Sequence, residues 1–149
     1  MLGLGLALSR LRPDTVHPGH PLLPDVPRGA LDSEWIPAVA ARGLITIGRD
    51  KRIRTRPAER QAIIDSGLRY VWIGGKQDQS SWEWMRRLAR YWDDIERLVD
   101  ELGAGPWFLT VNMASVVVSY HPDRVAGGVA GGGSRKGTEQ RRRQRRNRQ

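Results

Sequence analysis

Three carboxylates in this chain of 149 residues have the type and spacing to do chemistry. Asp32 and Glu34 open one apolar-periodic run, and Asp50 ends a second, shorter apolar run inside Gly43–Arg54, G-L-I-T-I-G-R-D-K-R-I-R. Leu44, Ile45, Thr46 and Ile47 read as a strand buried on both faces of a parallel sheet, which puts Asp50 at its carboxyl end, where open α/β sheets hold their ligands. Carboxylates converging there can hold Mg²⁺ or Mn²⁺ through oxygen, and a water on the ion can attack a phosphodiester. That reading makes Asp32 and Asp50 catalytic, with Asp32, Glu34 and Asp50 as the metal ligands.

Each acid also has a plainer role. Asp32 stands where a helix N-cap belongs, and Glu34 suits the positive end of a helix dipole. Asp50 has no helix to cap, although Asp is common in turns. Around it lie Arg49, Lys51, Arg52, Arg54 and Arg56, with Arg60 further on. Those residues read either as a phosphate-binding rim or as a solvated loop and helix start; a basic helix N-terminus is electrostatically unfavourable, which favours the rim.

The elements that position these residues follow from pattern and punctuation. A helix over 3–12 carries Leu4, Leu8 and Leu11 on one stripe, and Pro13 stops it. Asp14–Gly19 reads as a short strand and His20–Arg28 as a Pro-rich connection. A second helix runs from Asp32 to Arg42 with Gly43 at its αL cap, and Pro37 must bend it or delay its start. Leu44–Gly48 is a strand, Pro57 opens a helix to Ser66, and Leu68–Ile73 is the next strand. A capping box, Ser80-x-x-Glu83, starts a helix over 81–102. Trp84, Leu88, Trp92, Ile95, Val99 and Leu102 form its apolar face, with Arg87, Arg90, Asp94, Arg97 and Glu101 outside it. Strands at Trp107–Val111 and Ser115–Tyr120 follow. This alternation predicts an α/β fold with a small, mostly parallel sheet flanked by helices. The division is a domain over 1–122 and a Gly/Arg-rich tail over 123–149 that lacks the apolar residues to fold.

Charge and composition narrow the function classes. Residues 135–149 hold eight Arg or Lys against Glu139, which leaves only +2 of the net +9 in 1–134. The tail is either an RNA-binding arm or a passive solubilising end. With no cysteine, disulfides and thiolate metal sites are excluded. The Leu2–Leu8 run is too short to span a membrane and lacks a basic lead-in or cleavage site, so the expectation is a cytoplasmic protein without a membrane partner. Trp84 and Trp92 read as core, Trp35 and Trp72 as packed, and Trp82 is open. His17 and His20 make a weak metal signal.

The segment D-S-E-W-I-P-A-V-A-A-R-G-L-I-T-I-G-R-D-K-R-I-R-T-R-P-A-E-R, Asp32 to Arg60, resembles a PIN-like domain of the VapC-toxin kind. The likeness continues more loosely through Tyr70–Ile73, helix 81–102 and the strand near Trp107. It implies a parallel sheet between helices and a metal-dependent ribonuclease using Mg²⁺ or Mn²⁺, or an inactive relative. It also implies RNA as substrate and an antitoxin as partner. Asp32 and Glu34 match the family's acids at the helix start, Asp50 the strand-terminal acid, and Lys51 and Arg52 the basic residues after it. Two features depart from the family. Gly48 replaces a small hydroxyl residue, and the hydrophobic strand ending in an acid that opens the family precedes Met1. The expectation is a sheet lacking its first central strand, in a chain N-terminally truncated relative to the family, with two neighbouring strands left unpaired and activity weak or absent. The expectation is that either the true start lies upstream of Met1 or the gene is a decayed copy; an apolar run of about five codons ending in Asp in the upstream frame would support the first, and an in-frame stop would sink it. The competing readings are a non-catalytic RNA- or DNA-binding protein using the basic loop 49–60 and the tail 135–149, and an interaction module that docks an antitoxin or a like subunit through helix 81–102.

Overall fold

The computed structural model describes residues 2–50, 52–75 and 79–125. They form a four-stranded sheet between two layers of helix, in the chain order α1 (Leu2–Leu11), α2 (Asp32–Ala41), β1 (Ile45–Gly48), α3 (Arg52–Thr55), α4 (Pro57–Ser66), β2 (Arg69–Ile73), α5 (Ser81–Leu102), β3 (Trp107–Val111), β4 (Val116–Tyr120) and α6 (Pro122–Val125). The predicted α/β class with a small, mostly parallel sheet is what the structure shows. The sheet order is β1-β2-β3-β4, with β1, β2 and β3 parallel and β4 antiparallel to β3.

α5 forms as its sequence demands. Ser80 Oγ accepts from the Glu83 N–H at 3.2 Å, while Glu83 Oε2 accepts from the Ser80 N–H at 2.6 Å, so two orphan donors are satisfied reciprocally. Its inner face, with Leu4 and Leu8 of α1, packs on Val71, Ile73, Trp107, Leu109 and Val111. Across the sheet, Tyr70 and Phe108 meet Ile36, Val39, Ile53 and Ile63 from α2, α3 and α4. β3 is buried along its whole length, as a strand covered on both faces must be.

Several expectations are corrected. Arg87 is buried rather than outside the apolar face, together with Tyr91 and Leu98, while Trp92 is only partly covered. The Arg87 guanidinium is tolerated because Gly74 O, Gln79 Oε1 (2.9 Å) and Met113 Sδ accept from it. Leu11 is exposed, since α1 ends there. Among the described residues Asp14–Gly19 forms no strand. Pro37 lies inside α2 without delaying its start. The basic loop holds a four-residue helix, α3, that no apolar period announces. The sheet has no internal gap among the described residues; its unpaired backbone rows lie along the outer edges of the two edge strands, β1 and β4. Residues 126–149, and with them most of the predicted tail, lie outside the described residues. No helix among the described residues is long and apolar enough to cross a membrane.

Candidate functional site

β1 delivers Asp50. The strand ends at Gly48, and the chain turns through Arg49 and Asp50 at the carboxyl edge of the sheet. α2 delivers Asp32 as its first residue, with Leu31 as the N-cap. Both acids line one cavity of about 940 Å³, beside Gly48 and Tyr70.

Asp32 does not cap its helix. Its Oδ1 accepts from the Trp35 indole N–H at 2.8 Å, which fixes the carboxylate one turn into α2. Capping falls to Glu34, whose Oε2 accepts from the Leu31 N–H at 3.0 Å. Glu34 is exposed, and it does not line the cavity that Asp32 and Asp50 share. No three His, Asp or Glu side chains among the described residues are grouped to hold a metal ion. Of the three acids the sequence put forward, Asp32 and Asp50 line the shared cavity and Glu34 does not.

Tyr70 was not foreseen. Its side chain is almost wholly buried, and burial first, then the negative charges of Asp50 and Asp32, hold its phenol well above the ordinary value. The Asp50 main chain hydrogen-bonds the phenolic oxygen. Gly48 makes this arrangement possible: a Cβ there would lie 2.0 Å from Tyr70 Oη and 2.8 Å from Cζ. A glycine inside a strand pattern marks such a close approach, and that was the available signal for Tyr70.

The described basic residues of this cluster, Arg49, Arg56 and Arg60, each meet a different partner. The Arg49 guanidinium stacks 3.8 Å over the Trp84 ring, and burial, then the nearby Arg87 charge, lower its pKa. Arg56 pairs with Glu59 at 3.0 Å, and Arg60 lies over Tyr120. Arg52 and Arg54 belong to α3, but their side chains, and the whole of Lys51, lie outside the described residues. The described cations of this group do not form one continuous rim. His17 and His20 touch edge to face, with centroids 5.3 Å apart. Trp82 is exposed, while Trp35 and Trp72 are half-buried.

Comparison with curated proteins and with solved structures returns no match in either case. The comparison with family models does return one, and it falls on the segment that builds the cavity. Residues 3–75, from α1 through the turn after β2, match the family described as a PIN like domain, which supports a PIN-like domain over that stretch.

Proposed function

We propose that this chain is a PIN-like protein of the ribonuclease type, with Asp32 and Asp50 as its acidic pair and cleavage weak or absent in the chain as it stands. The observation that carries this reading is the shared cavity: two acids 18 positions apart in sequence face one space together with the Tyr70 hydroxyl. A nuclease-type fold over 3–75 agrees with it. PIN domains generally depend on a divalent metal. Asp32 and Asp50 could supply two oxygen ligands to Mg²⁺ or Mn²⁺, an incomplete set for an ion that prefers six. The proposal extends to RNA as substrate, to a toxin role opposed by an antitoxin, to a cytoplasmic setting and to self-association.

The two-carboxylate set also favours a second reading, a non-catalytic nucleic-acid-binding protein. Two measurements test the first reading. Mn²⁺ binding followed by electron paramagnetic resonance is expected to be weak and to be lost in Asp50→Asn. Any RNA cleavage in Mg²⁺ is expected to disappear in the same variant. Equal binding and equal cleavage in Asp50→Asn overturn the assignment. Salt-sensitive RNA binding that survives in that variant without cleavage supports the second reading.

A further inference from the structure

The cavity has a second property that the acidic pair does not explain. Among the described residues β1 pairs with β2 alone, so one edge of Ile45–Gly48 offers main-chain N–H and C=O groups with no ladder partner. All four residues of β1 line the cavity, which therefore follows that edge. Thr46 Oγ1 is buried there and has no hydrogen-bond partner. An unpaired edge beside an apolar space is costly to leave bare, because backbone groups need partners and apolar walls need contact.

The walls specify what fits. On the α1–α5 side they are Leu4, Leu8 and Ile95; on the α2 side they are Leu23, Val26 and Val39. Anything lying in the plane of the sheet along β1 therefore meets apolar residues above and below. A small apolar molecule would fill the volume but leave the backbone row unpaired. A β-strand answers both needs, and one covered on both faces must be apolar along its whole length. A strand of five or six residues measures about 17–20 Å and matches the length of β1 with its flanking turn. The charge of the lining adds a further condition. The lining carries Asp14, Asp32, Asp50, Glu96 and Asp100 against Arg28 and Arg49, and Arg12 pairs with Asp14 at 2.8 Å and with Glu96 at 3.1 Å, which leaves the acids in excess.

We propose that the free edge of β1 is a strand-acceptor site, into which a partner polypeptide inserts an extended apolar segment of about five residues with Lys or Arg at its ends. Main-chain bonds to Ile45–Gly48 supply the affinity, and the surrounding carboxylates select for basic ends. This inference stands apart from the nuclease reading, since it needs no metal and no cleavage.

The test uses the full chain and a fluorescein-labelled peptide, acetyl-Lys-Val-Ile-Val-Thr-Val-Lys-amide, read by anisotropy and by hydrogen exchange. Saturable one-to-one binding with new protection over 45–50 is expected. N-methylation of alternate peptide amides is expected to weaken binding by about tenfold or more, the equivalent of one or more lost backbone bonds. Replacing both lysines by glutamate is expected to weaken it as well. Absence of binding overturns the proposal. So does equal binding of the N-methylated peptide, which would mean that the cavity takes apolar matter without strand pairing. Equal binding of the glutamate-ended peptide removes the charge selection. Protection over 45–50 that rises with protein concentration in the absence of peptide would assign the edge to a second copy of this chain.

Discussion

The two ends of the parallel part of the sheet are built to different standards. At β3, every residue from Trp107 to Val111 is buried, both ladders are made, and α5 closes over the strand with a complete capping box. At β1, the burial pattern is half-open, one ladder is missing, and the Thr46 hydroxyl is buried without a partner. The acidic pair and the cavity sit at the β1 end. The difference teaches that β2, β3 and α5 hold the fold, while the functional candidates lie where packing is least complete. Such a division is common, because binding surfaces must keep groups available that a core would consume.

The largest test of this contrast is a matched pair of truncations. Leu88 is fully buried between α5 and the sheet, and Leu88→Ala is expected to cost about 2–5 kcal/mol in urea unfolding, through lost burial and the cavity left behind. Ile47 lies on the same face of the sheet but beside the open cavity, so Ile47→Ala removes fewer contacts and is expected to cost about 1 kcal/mol or less. Equal losses at the two positions would show the β1 end to be as tightly packed as the centre, and the contrast would fail.

A second pair tests the one tightly packed point at the β1 end. Gly48→Ala sets a methyl 2.0 Å from Tyr70 Oη, so the buried tyrosine must shift to admit it, and about 1–3 kcal/mol is expected. In the Tyr70→Phe background the closest clash, with Oη, is removed, so a double-mutant cycle is expected to return part of that loss. A neutral Gly48→Ala would mean that the Tyr70 hydroxyl is not held between Gly48 and Asp50. Tyr70 also leaves a mark on pH dependence. Its folded pKa is raised above the ordinary 10.0, so above about pH 10 the unfolded chain releases a proton that the folded chain keeps. The folded state then binds more protons, and its stability falls as pH rises, at up to about 1.4 kcal/mol per pH unit. Below that range the group contributes no slope. The stability difference between wild type and Tyr70→Phe is expected to be flat from pH 7 to 9 and to turn against wild type above 10; a flat difference up to pH 11 refutes the raised value.

Legibility followed the same division. α5 was readable to the residue because Ser80 and Glu83 announce its start and a 3.6-residue period runs beneath it. The positions of Asp32 at the start of α2 and of Asp50 just past β1 were readable from punctuation around two apolar runs. Arg87 was misplaced because charge alone argues for water; the acceptors that allow its burial come from Gly74, Gln79 and Met113, distant in sequence or in a turn. α3 escaped notice because Arg52–Thr55 has no apolar stripe to betray it. Tyr70 escaped because its role depends on strand register, which sets Thr46 beside Tyr70 and Gly48 beside Trp72, and register is a tertiary fact.

The smallest effect bears most directly on the site. At α5 the capping box is reciprocal, and Ser80→Ala is expected to cost about 1 kcal/mol. At α2 only half of it exists, because Leu31 has no side-chain acceptor and Glu34 alone reaches back. Glu34→Gln keeps an oxygen for the Leu31 N–H, so its effect on stability is expected to be smaller still. If Glu34 serves the helix and not an ion, this change leaves Mn²⁺ affinity as it was, while Asp32→Asn and Asp50→Asn both lower it. A loss in Glu34→Gln equal to that in Asp50→Asn would return Glu34 to the ligand set. The β1 end would then offer three carboxylates to the ion rather than two.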